Sequence, residues 1–563
     1  MVLPIACFAQ PPLHIEARQV LLIRSWTGGS KAYALAWALA VIFFIACIIF
    51  PLCCVLLTLR AGDLATVLSS ARWHEAMRNT ALSCVCSTAL SVAVGYVYAY
   101  AVERGALPCK RFFAALPVAH LVTPPFVGGL AFILLVGRQG FITHTLLHLD
   151  VSLYGFWGLL LAQVLCFFPI AYLMCLQTLR GINPSLEQAA RGMGAGGARI
   201  FCTITLPLSL PGIASALLFI AVSVLSDFGN PMIVAGRFRV LAVEIYTQLT
   251  GWLNAGTSAA LGLVLVVPSV LLFIAQNRVL SKHSARVATI GGRASGIGAP
   301  RPKLATRVAL TAFCALIALM VLAQLAALVA GSVQKLWGVN TALTTAHLRA
   351  LPLYLHELAN SLVFAFAAAL VTTALSAFTA YLVRRTDAPL RKPIDVLSQL
   401  PAAIPGSLFG LAFSLAANRA GIRAPRFFII TAMVVGFMPF SYRILSAAYA
   451  QLKTTLDDGA RSLGAGRLYV LSSVLAPLAS GSLFYSFIYT FVRGVGTLSA
   501  VIFLVSFNTP LASVRILNLA EQGDWGKACA LALILTCAVF IILGVGKLCA
   551  DRVRARLWSV HDE

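Results

Sequence analysis

Few side chains in this sequence could do chemistry, and spacing removes most of them. Gly526-Lys527 lacks the upstream glycine and the following Ser or Thr that a phosphate-binding loop needs. His144 and His148 stand four apart, which suits a metal on one helix face, but two lone histidines read as surface residues. The 14 cysteines include no CxxC pair. Most lie in apolar runs, as Cys47, Cys84, Cys166 and Cys537 do, and read as small buried hydrophobes, not as a disulfide or zinc framework. No catalytic set, cofactor or metal site is expected. What remains is charge set in apolar sequence. Asp227 and Arg493 lie near or within such runs, where an ionisable group is costly and marks function by default. They read either as a charge pair or gate element, or as groups that reach water at the end of a span. Arg443 reads as a side chain that snorkels toward a loop.

The elements that must position these residues follow from composition. Of 563 residues, 60% are hydrophobic and 11% charged, and the mean hydropathy is +0.91. A soluble protein carries about 25% charged residues. There is too little polar surface for a water-soluble enzyme or a disordered chain. Apolar runs predict spans near 32–59, 79–102, 112–137, 152–179, 205–227 and 257–276, then 308–333, 359–383, 395–417, 427–450, 478–505 and 527–548. The stretches near 205–235 and 478–510 are candidates to bend or re-enter. Between the two sets, 277–307 is rich in Gly, Ser, Ala and Arg and lacks any acid, as a basic linker would. No cleavable leader is expected, since Ile5-Ala6-Cys7 lacks a basic segment before it. The net charge of +24 reads as cationic loops and not as a nucleic-acid surface. With both termini cytoplasmic, roughly 27 basic residues fall inside and roughly 13 outside, so residues 1–31 and 549–563 are placed in the cytoplasm.

The two sets of spans are copies. Asn79-Thr80, Ala99-Tyr100 and Leu130-Ala131-Phe132 recur 281 residues later as Asn360-Ser361, Ala380-Tyr381 and Leu411-Ala412-Phe413. Pro169, Tyr172, Gly194-Ala195-Gly196 and Pro207 recur 270 later as Pro439, Tyr442, Gly464-Ala465-Gly466 and Pro477. Chance apolar similarity would not hold a constant register through loops. Six spans per copy is an even number, so both copies share one orientation, related by a pseudo-twofold axis along the membrane normal. The halves are 32–276 and 308–548. Prolines repeat inside the spans (Pro124 and Pro125, Pro401 and Pro405) and predict bent helices.

Two loops carry the strongest signal, each between the fourth and fifth span of its half. One reads Glu187-Gln188-Ala189-Ala190-Arg191-Gly192-Met193-Gly194 and reaches Ile204-Thr205-Leu206-Pro207 nine residues later. The other reads Asp457-Asp458-Gly459-Ala460-Arg461-Ser462-Leu463-Gly464 and reaches Val474-Leu475-Ala476-Pro477 at the same distance. Each predicts a short helix with acid in its first turn, small residues on one face and a glycine at its end. Such a helix is bare enough to seat in a groove on another protein.

These loops resemble the EAA loop of permease subunits of binding-protein-dependent ABC importers, E-A-A-x3-G-x9-I-x-L-P. The departures are Gln188 for the acid, with Glu187 one place upstream, and Asp458-Gly459 for Glu-Ala. The resemblance implies an all-α polytopic membrane protein of about 12 transmembrane helices, built as two tandem six-helix type I permease repeats. It also implies a bacterial inner-membrane location, two copies of a cytoplasmic ABC ATPase docked on the loops, and a periplasmic solute-binding protein on the outer face. ATP hydrolysis would then sit on a separate chain, and this chain would be a transport subunit, not an enzyme. Ser226-Asp227-Phe228-Gly229-Asn230-Pro231, Leu241-Ala242-Val243-Glu244-Ile245-Tyr246, Phe168-Pro169 and Gly137-Arg138-Gln139-Gly140 look like the fused permeases of ferric-iron importers. Thiamine, another small cation or an organophosphonate remains open as the cargo. A secondary transporter with two six-helix halves is the rival of another class, and it leaves the two loops unexplained.

Overall fold

The computed structural model describes residues 31–148, 153–290 and 302–559. The expected N-terminal segment therefore lies outside the described residues except for Lys31, as do linker residues 291–301 and the last four residues of the tail.

A bilayer core about 30 Å thick takes about 20 apolar residues of helix. Among the described residues ten helices qualify, and two bent pairs bring the number to 12 if each pair is one span. The first half contributes Lys31–Thr58, Ala71–Arg104, Val127–Leu146, Phe156–Gly181, Gly197–Leu225 and Ala255–Val279. The second contributes Leu304–Val333, Leu351–Arg385, Arg391–Ala403 with Gly406–Ala420, Pro425–Gln451, Arg467–Leu478 with Ser480–Val495, and Trp525–Leu548. The chain is an all-α polytopic membrane protein. A small antiparallel hairpin, β1 (Gln334–Leu336) and β2 (Asn340–Leu343), is its one sheet among the described residues.

The third span of each half goes beyond the bend that its prolines predict and breaks into two helices. In the first half, helix Lys110–Val122 stops at an extended Thr123 (ψ 136°) and a new helix starts at Pro125. In the second, Arg391–Ala403 turns by 111° into Gly406–Ala420. Pro124 and Pro405 occupy the same place, 281 residues apart. Proline removes a backbone donor and pushes the residue before it out of the helical region, so both copies break there. Gly406–Ala420 has 15 residues, about 22 Å of rise, and is too short to cross alone. The fifth span of the second half also bends, by 84° between Leu478 and Ser480. The sixth span of the first half continues as helix to Ile290, well into the expected linker. Apolar character ends near residue 279, but the Arg, Lys and Ala that follow are good helix formers, so the edge of the span is not the end of the helix.

Lipid tails are as apolar as leucine, so helices here associate through close packing of small residues. The second and fourth spans of the first half meet at Gly95, where an added Cβ would lie 2.4 Å from Ala171 Cβ and 2.7 Å from the Tyr172 backbone nitrogen. Tyr98 is fully buried beside them, packs edge-on to Tyr172 at 5.3 Å and donates its hydroxyl to Phe113 O at 2.9 Å. The first spans interlock the halves. Residues of Lys31–Thr58 reach the second half: Trp37 Nε1 donates to Pro389 O at 3.3 Å, and the Arg467 guanidinium lies 5.3 Å over the Tyr33 ring. In return, Leu304–Val333 lies along the first half, where Gln324 Nε2 donates to Gly128 O at 3.4 Å. Trp337 Nε1, just beyond that span, donates to Leu134 O at 3.0 Å.

Candidate functional site: two loop helices and a central cavity

The loop helices are Pro184–Gly192 and Thr455–Ser462. Asn183 caps the first by accepting from the Ser185 backbone N–H at 3.1 Å, and a proline follows at the first helical position, where its missing donor is harmless. Both end alike. Gly194 (φ +84°) and Gly464 (φ +87°) are left-handed and donate to Arg191 O and Arg461 O at 2.9 Å. The next residues, Ala195 and Ala465, bond back to Ala190 O and Ala460 O. This closes the helix and satisfies its last carbonyls. Just before each glycine a large apolar side chain stands in the open, Met193 at 83% and Leu463 at 90% exposure. Around the glycines themselves nothing lies within 4 Å of an added Cβ. Ala189, Asp458 and Gly459 are exposed, Gln188 and Ala460 half-buried, and Ala190 buried. Pro207 and Pro477 lie in the first turns of the helices that lead into the fifth spans.

Glu187 does something the sequence reading missed. It does not stand in for the absent acid at position 188 on the outer face; it points inward and is 3% exposed. Its carboxylate meets Arg104 Nε at 3.1 Å and accepts from the Thr205 hydroxyl at 2.9 Å. Arg104, in the last turn of the second span, also donates to Leu179 O and Ile182 O at 3.1 Å. One buried cation thus ties the second span, the end of the fourth span and the loop helix together. The same clamp recurs in the second half, 281 and 270 residues on, as Arg385 Nη1 and Asp457 Oδ2 at 3.7 Å, with Arg385 Nη2 donating to Leu452 O at 2.8 Å. It is looser. Aspartate is one methylene shorter, and Leu475 stands where the first half has Thr205. Asp457 Oδ1 and Arg385 Nε are left without partners, and burial pushes the Asp457 carboxyl above its ordinary range despite Arg385. Replacing Asp457 with Glu and Leu475 with Thr together is therefore expected to stabilise the detergent-purified protein by about 1 kcal/mol. An unchanged or lower melting temperature would contradict this account of the second clamp.

The intramembrane charges meet at a cavity of about 280 Å³ between the halves. Asp227, Arg493 and Arg443 all line it. Asp227 and Arg493 form no ion pair; the carboxylate accepts from Gln163 Nε2 at 3.0 Å and from Asn230 Nδ2 at 3.1 Å and N at 3.3 Å. Arg443 does not snorkel to a loop. Its Nη2 donates to Asn277 Oδ1 at 3.0 Å and its Nε to Gln399 Oε1 at 3.4 Å, groups brought to it by the first half's last span and by the broken third span. The cavity walls are matched pairs from the two halves, Phe167 with Phe437 and Phe219 with Tyr489, each 270 residues apart. The cavity therefore sits where the duplicated spans face each other. Behind Asp227, Ser83 and Ser87 both donate to Gln163 Oε1 at 2.8 Å. Polar residues at membrane depth were the available signal for Gln163, which sequence reasoning passed over. His144 and His148 are exposed, and no group of three metal-ligating residues occurs among the described residues.

The signature of the binding-protein-dependent transport system inner membrane component family matches this chain twice, over residues 108–283 and 373–556. The chain belongs to that family. It is a multi-pass inner-membrane transport component, and both loop helices fall inside the matched segments. Its relatives include the ferric transport system permease protein FbpB of Actinobacillus pleuropneumoniae, 31% identical over 454 residues, which are 77% of this chain and 64% of the relative. The Fe(3+)-transport system permease protein FbpB 2 of Haemophilus influenzae is 24% identical over 468 residues, 82% of this chain and 88% of that one. The molybdenum transport system permease protein ModB of Escherichia coli is 31% identical over 189 residues, 32% of this chain and 82% of its own. The chain thus spans just under two thirds of the first relative, while ModB matches only a third of the chain.

Proposed function

We propose that the chain is the membrane-spanning permease subunit of an ATP-driven ABC importer for ferric iron. The observation that carries this reading is the duplicated loop helix with its open face, exposed apolar tip and buried arginine clamp. Two equivalent helices suit two copies of one cytoplasmic ATPase, docked near 185–197 and 455–467. On this reading both termini lie in the cytoplasm, which the excess of basic residues in the loops on that side supports. A periplasmic binding protein delivers the solute to the opposite face. When the ATPases close on ATP, each loop helix moves with its seat and pulls on the second span through its clamp. The halves 32–276 and 308–548 then swing about the cavity, with 277–307 joining them, and hydrolysis resets them. This chain holds and moves the solute and does no bond chemistry. The iron cargo rests on the ferric permeases to which most of the chain aligns.

Cells lacking the chain are expected to lose accumulation of ⁵⁵Fe from a ferric source while thiamine uptake stays normal; the reverse would overturn the cargo. The docking is tested at Gly194 and Gly464. Alanine there costs about 1–2 kcal/mol of left-handed strain but adds no bulk, whereas tryptophan adds the same strain and fills the open face. ATP hydrolysis stimulated by loaded binding protein should survive in the alanine variants and be lost with tryptophan. Full stimulation in Gly194→Trp and Gly464→Trp would sink the docking assignment.

A further inference from the structure

The central cavity carries a charge pattern that the fold does not require. Its one carboxylate, Asp227, is already engaged by Gln163 and Asn230. Its two guanidiniums, Arg443 and Arg493, take part in none of the ion pairs among the described residues. Arg443 instead leans on the neutral amides of Asn277 and Gln399. The gene duplication supplies a control. At the matching places, 270 residues earlier, the first half has Leu173 and Ser223 in the same two spans. The register holds through this region, because an added Cβ on Gly129 would meet Asn230, and one on Gly410, 281 residues on, would meet Ala500, 270 residues on from Asn230. Neither arginine is therefore needed to pack its helix. Both are half-buried and face the space between the halves, where holding a charge out of bulk water is costly.

A cavity with two such guanidiniums attracts negative charge, and Arg presents a planar fork suited to oxyanions. A third feature adds to it. The break in the third span sets the start of helix Gly406–Ala420 at the cavity wall, with Gly406 offering backbone and no side chain. The positive end of a discontinuous helix near mid-membrane favours an anionic group. A bare ferric ion would want several hard oxygen ligands converging, and here it would meet two positive charges and one carboxylate already bonded. We infer that this cavity is a passage site for a small oxyanion, and that iron crosses as a complex carrying such an anion. The second clause rests on the ferric reading proposed above; the first does not.

Equilibrium dialysis of the detergent-purified chain at low salt tests it, with [¹⁴C]citrate alone and with ⁵⁵Fe as ferric citrate. Arg443→Leu and Arg493→Ser copy the residues that the other half tolerates, so both variants should fold. The wild type should retain ¹⁴C, and each variant should weaken retention at least about tenfold, the worth of one charge-assisted hydrogen bond. Arg443→Lys and Arg493→Lys should recover part of it. Retention of ⁵⁵Fe and ¹⁴C together, lost in both variants, supports the ferric complex. Arginine-dependent retention of ¹⁴C only without iron supports the oxyanion site and overturns the complex. No retention of either label, or ⁵⁵Fe retention that both variants leave intact, overturns the inference. Normal ⁵⁵Fe accumulation in cells lacking the chain would overturn iron's place in it, a result independent of the dialysis.

Discussion

Arg104→Met should leave Glu187 as a buried carboxylate without its cation, and the loop helix should lose its tie to the second span. Breaking one side of a buried pair costs about 3–5 kcal/mol, and the Thr205 hydroxyl alone cannot offset that. The expected result is a lower melting temperature and, in reconstituted vesicles, ATP hydrolysis that no longer drives transport. Glu187→Ala should act from the other side, leaving the Arg104 guanidinium with the Leu179 and Ile182 carbonyls and the more distant Glu103 carboxylate at 3.7 Å. The double variant Arg104→Met/Glu187→Ala removes both charges and should recover more than half of the stability lost in either single variant, though not the coupling. The matching change in the second half, Arg385→Met, should cost less, because that pair is longer, at 3.7 Å against 3.1 Å, and already leaves two polar atoms unpartnered. Strict additivity of the two single changes in the first half would mean that the clamp is not a unit.

What could be read from the sequence was local or repeated. A glycine that closes a helix, an acid in a first turn and a constant register across two copies are patterns within a short window, or within one window repeated. They placed the loop helices, the paired halves and the all-α architecture. The direction in which Glu187 points was not legible, because it is decided by Arg104, 83 residues earlier. A helix of this composition could as easily turn that acid outward. Arg443 was misjudged for the same reason. Its distance from a loop suggested snorkelling, but Asn277, 166 residues away, holds it at the cavity. Pro124 and Pro405 mark the third spans for a bend, but apolar composition runs through both, and only the backbone shows that the helix breaks there and does not merely kink.

Gln163→Leu should be nearly as damaging as removing Asp227 itself. The amide is buried at 1% exposure and works as a relay: its oxygen accepts from Ser83 and Ser87 and its nitrogen donates to Asp227. Leucine would leave two hydroxyls and a carboxylate without these partners at membrane depth, and an unsatisfied buried group costs about 1–3 kcal/mol, more when it is charged. Nothing equivalent exists in the other half, where the matching positions are Phe364, Ala368, Met433 and Thr497. The network is thus a local device that holds one carboxylate in place and not a requirement of the repeat. A double-mutant cycle separates its partners. Gln163→Leu with Asp227→Leu should show a coupling of about 1 kcal/mol or more, since the two touch, whereas Asp227→Leu with Arg493→Ser should show less, since they share a cavity without an ion pair. The cycles are read by thermal unfolding of the detergent-purified protein. If the Asp227–Arg493 cycle gave the larger coupling, the carboxylate would be held chiefly by the arginine across the cavity, and the relay through Gln163 would have to be abandoned.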